Sequence, residues 1–384
     1  MGWYEGTQGV TANHISLLLG HPDPTTLDTP AFQDAVRRVM SSPRAYQALE
    51  YGNEQGNIPL IEYLVARINR EQSLSLNVDN LMVVAGSTHA VDMIGRLYAK
   101  PSGVVIVEAP TYIDALQIFR DHGAELYAVP VDQDGVVVEA FEQLLKRLSA
   151  AGKLPQLFYT IPTFHNPTGI TTSVQRRLDV IRLARQYDFT IVEDDVYRDL
   201  AFDIDITPSY FGLANGVNVI QIGSFSKTLA PGLRLGWMVA SAEIVRQCVQ
   251  CGTTQMGGGA NPFVAQIVAE YCQQGYWNEH VEYLKNLYRM RRDTLLDALI
   301  RYLPPEISWT KPAGGFFVWL TLPEKFHAPA LKEAALKRGL MVASGTGYFV
   351  NPGDGEHHIR LTYSYASPED LEKAAHILAE LISD

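Results

Sequence analysis

From about Tyr46 onward the chain alternates between short unbroken apolar runs and longer stretches whose apolar positions recur every three or four residues. A run of four to eight apolar residues fits a strand buried on both faces, and the three-four spacing fits one face of a helix. LMVVAG (Leu81–Gly86) closes on a glycine, and helical spacing follows from Ser87 to Tyr98. GVVIVEAP comes next, then a helix to about Asp121, then ELYAVPV. QLFYT (Gln156–Thr160), an amphipathic helix over Ser173–Tyr187, FTIVED (Phe189–Asp194), NVIQIGS (Asn218–Ser224) and LGWMVAS continue the series. These runs predict a mainly parallel, seven-stranded sheet covered by helices on both sides, an α/β architecture.

A different rhythm follows. A long helical region over about Pro262–Leu303 breaks near Gly275, and then come a strand (Phe316–Leu322), a helix (Ala328–Arg338), two strands (Leu340–Ala343 and Ile359–Ser364) and a helix (Pro368–Ile382). This predicts a second, smaller α+β domain. The first 44 residues are irregular, with prolines at 22, 24, 30 and 43 around one helix near Ala31–Met40, and are expected to pack with it. The division is then 45–285 for the large domain, and 1–44 with 286–384 for a discontinuous small one.

Composition narrows the function. With 384 residues, 47% of them hydrophobic, the chain can bury one large core and a smaller one. A net charge of −11 argues against a nucleic-acid partner, which needs clustered positive charge. No apolar run of about 18 residues is present to span a membrane, and MGWYEGTQGV has neither the basic segment nor the apolar stretch of a secretory leader. The three cysteines fit a reducing cytoplasm. Cys248 and Cys251 have C-x-x-C spacing, but only Cys272 could join them, so structural cysteines are expected rather than a four-ligand metal site.

Ligands of an open α/β sheet bind beyond the carboxyl ends of its strands. The segment GSFSKTLAPGLRLGW (Gly223–Trp237) falls at such an end, with Ser224 and Ser226 before Lys227 and Arg234 seven residues on. A lysine among small hydroxyl-bearing neighbours can be partly desolvated, which makes its amine nucleophilic toward an aldehyde. The serines and the arginine supply donors and charge for a phosphate. The plain alternative is a surface lysine in a polar turn.

The pattern S-x-S-K-x-x-x-P-G-x-R-x-G-W, complete from Ser224 to Trp237, resembles the cofactor-lysine motif of the fold-type I pyridoxal-phosphate enzymes, specifically the class I and II aminotransferases. The resemblance implies that Lys227 carries pyridoxal 5'-phosphate as a Schiff base and shuttles protons at the substrate α-carbon. IPTFHNPTG (Ile161–Gly169) could be a bare turn, but by resemblance Asn166 reaches the cofactor ring hydroxyl and can also meet substrate, while His165 is either a packing neighbour or a substrate contact. In VEDDVYRDL (Val192–Leu200) two adjacent carboxylates at a buried strand end need a positive partner, and a protonated pyridine nitrogen is one. The family's D-x-x-Y pattern assigns that pairing to Asp194 and the ring hydroxyl to Tyr197; the role of Asp195 stays open. In AGSTHA (Ala85–Ala90) a helix opens on Ser87 and Thr88, a phosphate site if the free amides are used and a mere cap otherwise. Thr88 and His89 depart from the glutamine many relatives carry there. By resemblance Tyr112 stacks on the ring, Tyr51 reaches a phosphate across a homodimer interface, and Arg360 clamps the substrate α-carboxylate, with Gly20 beside it.

The resemblance runs from about Leu18 to the last helix and implies ping-pong transfer of an amino group from an L-amino acid to a 2-oxo acid. A carbon–sulfur β-lyase uses the same constellation, and relatives also serve as non-catalytic ligand-binding domains of regulators. Within that family the chain resembles the subgroup of 2-aminoadipate, kynurenine and aromatic aminotransferases, in which the N-terminal segment lines the side-chain pocket. Met1–Val36 contains no lysine or arginine but does contain Trp3, Tyr4, Ile15 and Leu17–Leu19, so aromatic or bulky aliphatic amino acids are the expected substrates.

Overall fold

The computed structural model describes residues 14–383; Trp3 and Tyr4 lie outside them. Two short strands belong to neither main sheet: β1 (Ile15–Ser16) runs parallel to β12 (Leu340–Met341). The large sheet contains β2 (Leu81–Val84), β3 (Val104–Ala109), β4 (Glu125–Asp132), β5 (Gly135–Val136), β6 (Pro155–Thr160), β7 (Thr190–Asp194), β8 (Val219–Ser224) and β9 (Gly236–Val239). Their order is β2-β9-β8-β7-β6-β3-β4-β5, with only β9 and β5 reversed against their neighbours.

The sheet thus has eight strands, not the expected seven. The extra one is the two-residue β5, which folds back on β4 through the Asp132–Gly135 turn, with Gly135 at φ +105°. Two residues are too few to leave a hydrophobic period in the sequence.

Strand side chains alternate between two cores, as a period of two requires. Leu81, Val83, Ile106, Phe158, Ile191 and Val239 face the core built by helices Ile58–Gln72, Val138–Ala150, Val174–Tyr187 and Pro262–Gln273. Met82, Val84, Val107, Tyr159, Val192 and Met238 face the other, shared with helices Ser87–Tyr98 and Ile113–Asp121 and with the C-terminal part. Both faces being covered explains why these strands carry no polar alternation.

The helix boundaries follow local chemistry. Ser173, expected as the first residue of its helix, is its N-cap, with its hydroxyl accepting from Arg176 N. Gly275, at φ +83°, separates the helices Pro262–Gln273 and Tyr276–Tyr302. The expected single strand over Leu340–Ala343 is split. Leu340–Met341 pairs with β1, whereas β13 (Ala343–Ser344) pairs with β14 (His358–Thr362), because the chain changes partners at Val342. With β10 (Ser308–Trp309) and β11 (Phe317–Thr321) these form an antiparallel sheet in the order β10-β11-β14-β13.

After β1 the N-terminal segment stays bonded to this part: Leu17 N donates to Met341 O and Thr362 N donates to Leu17 O. That seam carries the carbonyls of Leu18 and Gly20 toward the ends of the large sheet.

Candidate active site

A cavity of about 240 Å³ opens where β2, β3, β6, β7 and β8 end. Lys227 enters it from the turn after β8. Its Nζ donates to Gly20 O at 2.9 Å and lies 5.7 Å from the centre of the Tyr197 ring. Burial lowers its pKa to about 8; the Arg360 and Arg234 charges push the same way and Asp194 opposes them. An amine poised there supplies far more free base near neutral pH than an ordinary lysine. Gly20 is held close: a Cβ on it would lie 2.9 Å from the Phe317 ring.

Asp194 ends β7 on the cavity wall. Tyr159 donates its hydroxyl to Oδ2 at 2.6 Å, and Oδ1 is buried with no hydrogen-bond partner among the described residues. Burial raises this carboxyl to about 6, against the pull of the Tyr159 bond. A buried carboxylate oxygen left unpaired marks the place of a positive donor.

Arg360 comes from β14, opposite Trp319 in β11, and is 3% exposed. Its Nη1 donates to Asn166 Oδ1 at 3.0 Å and its Nη2 to Leu18 O at 2.5 Å, and its guanidinium lies 4.5 Å from the Phe317 ring centre. Nε has no partner among the described residues. Asn166 also hydrogen-bonds Tyr197, whose phenol is held well above its usual value by burial.

The other end of the cavity suits an anion. Ser87 and Thr88 open the helix Ser87–Tyr98, whose N-cap is Gly86 at φ +85° with no side-chain cap. The first amides of that helix are therefore available to a ligand. The Arg234 guanidinium closes over this turn: a Cβ on Gly86 would lie 2.7 Å from Nη2. Ser226 and Pro231 complete this wall.

Several expected residues stand elsewhere. Ser224 is off the wall; its Oγ accepts from Ser226 N at 3.0 Å and so braces the turn that presents Lys227. Tyr51 is 87% exposed and outside the cavity. Tyr112 is on the wall, its hydroxyl donating to Asp114 Oδ2 at 2.5 Å. His165 is buried off the wall beside Glu108 (3.1 Å) and Thr168 (2.8 Å), and His89 Nδ1 accepts from Ala85 N. Asp195 turns to a separate, smaller cavity and accepts from Gln221 and Arg198.

Sequence reading missed Tyr159, His21, Asp114 and Phe317. Tyr159 pairs with Val192 in register, two residues before Asp194, a neighbourhood that only strand pairing reveals. His21 could have been noticed as the ionisable residue following Gly20.

The chain matches the aminotransferase class I and II family over residues 17–378. It is 34% identical to aromatic-amino-acid aminotransferase 1 of Thermococcus litoralis, over 97% of this chain and 89% of that protein. It is 31% identical to the 2-aminoadipate transaminase of Thermus thermophilus, over 96% of this chain and 90% of that one. The crystal structure of Pyrococcus horikoshii kynurenine aminotransferase in complex with PMP matches it with a TM-score of 0.94, at 35% identity over 99% of this chain and 93% of that one.

The residues present fit pyridoxal phosphate: a buried amine, an unpaired carboxylate oxygen, and an uncapped helix N-terminus under an arginine. Fold and site together define a fold-type I pyridoxal-phosphate enzyme. The chain belongs to the class I and II aminotransferases, and pyridoxal 5'-phosphate is its cofactor.

Proposed function

We propose that this aminotransferase moves the amino group of an L-amino acid with an aromatic or bulky aliphatic side chain to a 2-oxo acid, two half-reactions sharing one site. The observation that carries the substrate class is the set of cations on the cavity wall. Among the described residues these are Lys227, Arg234 and Arg360, with His21 held below its usual pKa by burial and by Lys227 and Arg360, hence neutral near pH 7. Each of the three cations has a task in the reaction, which leaves none for a second carboxylate on the substrate.

When bound, the cofactor supplies an electron sink for negative charge at the substrate α-carbon. Lys227 gives it a covalent seat and moves the proton at that carbon. Asp194 holds the positive charge of the ring nitrogen, which its unpaired Oδ1 supports. Asn166 and Tyr197 hydrogen-bond the ring hydroxyl oxygen, and Tyr112 packs on the ring. Ser87, Thr88, Ser226 and Arg234 hold the phosphate, with Ser224 bracing their turn. Arg360 orients the α-carboxylate near Gly20, an assignment supported by its buried, unpaired Nε.

The exposure of Tyr51 supports a homodimer in which it reaches the neighbouring subunit's phosphate. The pairing of β1 with β12 supports a discontinuous small domain, 1–44 with 286–384, beside a large one over 45–285; the boundary at 285 falls inside the helix Tyr276–Tyr302. The free cysteines support a cytoplasmic setting. Among the described residues no helix is long and apolar enough to cross a membrane.

Steady-state kinetics tests this reading. Parallel double-reciprocal lines are expected, with kcat/KM at least about tenfold higher for phenylalanine than for 2-aminoadipate. The reverse preference would reject the substrate class, and pyruvate with ammonia released from a β-substituted alanine as the main reaction would point to a lyase.

A further inference from the structure

His165 has no task in the reaction described above, although it is 1% exposed and directly precedes Asn166 in the chain. A buried histidine is often no more than a core residue with its hydrogen bonds satisfied. Its contacts here say more. Nε2 stands 3.1 Å from Glu108 Oε2, off the line of a straight hydrogen bond, and Nδ1 stands 2.8 Å from Thr168 Oγ1. A neutral imidazole that accepts from Thr168 at Nδ1 carries its proton on Nε2, facing the carboxylate. Glu108, equally buried, is the last but one residue of β3. It also accepts from Thr160 Oγ1 at 2.7 Å and from Ile161 N at 2.9 Å, at the end of β6. The carboxylate thus ties two neighbouring strand ends together and reaches through His165 into the loop that follows β6.

That loop closes on itself at the same residue. His165 N donates to Ile170 O at 2.8 Å, and His165 O accepts from Gly169 N at 2.6 Å. Phe164 is held at φ +51°, which a residue with a side chain keeps only where its surroundings fix it. Asn166 leaves this frame for the cavity. Its Oδ1 accepts from Arg360 Nη1 at 3.0 Å, and it hydrogen-bonds Tyr197. A polar group serves a bound cofactor only when held within about 0.5 Å of its productive position. Glu108 and His165 anchor the backbone from which Asn166 starts, and neither lines the cavity.

We propose that Glu108 and His165 form a buried positioning pair for the reaction: the carboxylate directs the imidazole N–H, and the imidazole fixes the loop that aims Asn166 at the ring hydroxyl oxygen of the cofactor. The inference rests on the role assigned to Asn166 above.

A donor at the ring oxygen stabilises negative charge there, so weakening that bond should move the pH midpoint of the holoenzyme's visible band upward. Asn166→Ala removes the donor and is expected to raise the midpoint by about 1 unit or more. His165→Phe keeps a flat ring without an N–H, and Glu108→Gln is nearly isosteric; each is expected to raise it by about 0.5 unit or more. His165→Gln, whose amide can donate toward Glu108, is expected to stay within about 0.2 unit of the wild type. The band itself reports that a variant has folded and taken up cofactor, and if His165→Phe forms none, Glu108→Gln decides. An unmoved midpoint in His165→Phe or in Glu108→Gln, with the Asn166→Ala shift present, would overturn the pair's role alone. A shift in His165→Gln as large as in His165→Phe would also overturn it, since the ring would then act by its shape. An unmoved midpoint in Asn166→Ala would overturn the assignment of Asn166, and this inference with it.

Discussion

At the scale of single residues, the site is assembled from groups whose burial is unfavourable without a ligand. Lys227 has a lower pKa in the folded chain than in the unfolded one, so between about 8 and 10.5 the unfolded state binds more protons and stability rises with pH. Asp194 has a raised pKa, so between 3.8 and about 6 the folded state binds more protons and stability falls as pH rises. Near pH 7 both residues therefore cost the cofactor-free protein stability. Asp194→Asn is expected to stabilise the apoenzyme by about 1–3 kcal/mol at pH 7, with the gain fading as pH falls from about 6 toward 3.8, while weakening pyridoxal-phosphate binding. Urea denaturation of both proteins across that pH range, with a cofactor titration, checks it; equal stability at pH 7 would contradict the assigned burial cost. The motif residues were legible because each combines a reactive side chain with a strand end, as Lys227 and Asp194 do. Tyr159 was not, because its meaning comes from a neighbouring strand.

At the scale of elements, the strands were legible from their unbroken apolar runs, and the helix Ser87–Tyr98 has the bounds its spacing predicts. What escaped depends on pairing rather than on period: the two-residue β5, and the change of partner at Val342. The loop after β6 that carries Asn166 was legible as a turn, but not what anchors it. Arg177, fully buried in the helix Val174–Tyr187, donates to Pro162 O and Thr172 O at either end of that loop, to Pro208 O, and to Glu193 at 3.4 Å. Glu193 in turn accepts from the backbone of Tyr210 and Phe211. Arg177→Met should cost about 3–5 kcal/mol, because it leaves a buried carboxylate and three carbonyls without this partner. A loss below about 1 kcal/mol in denaturant titration would show that the loop is held by other means. The turn carrying Lys227 is similarly constrained, since a Cβ on Gly223 would fall 2.2 Å from the Trp237 ring.

At the scale of the whole molecule, the layered arrangement follows from the alternation of apolar runs and helices, and the site follows from strands that end on one side. The N-terminal segment completes it from far away in sequence. Its prolines marked it as irregular, yet nothing local announces that Leu18 O receives Arg360, that Gly20 O receives Lys227, or that Asp23 pairs with Arg291. These contacts span hundreds of residues and exist only once both sheets are formed. They join the part that carries Arg360 to the part that carries Lys227, so the claim that most needs testing is that these two residues serve one cofactor-dependent reaction. The most direct measurement is the absorption spectrum of the purified protein supplied with pyridoxal phosphate, before and after addition of an amino acid and then of a 2-oxo acid. A visible band that the amino acid bleaches and the 2-oxo acid restores, and that is missing in Lys227→Ala, is the predicted result. No band after incubation with the cofactor, or an unaltered band in Lys227→Ala, would contradict it.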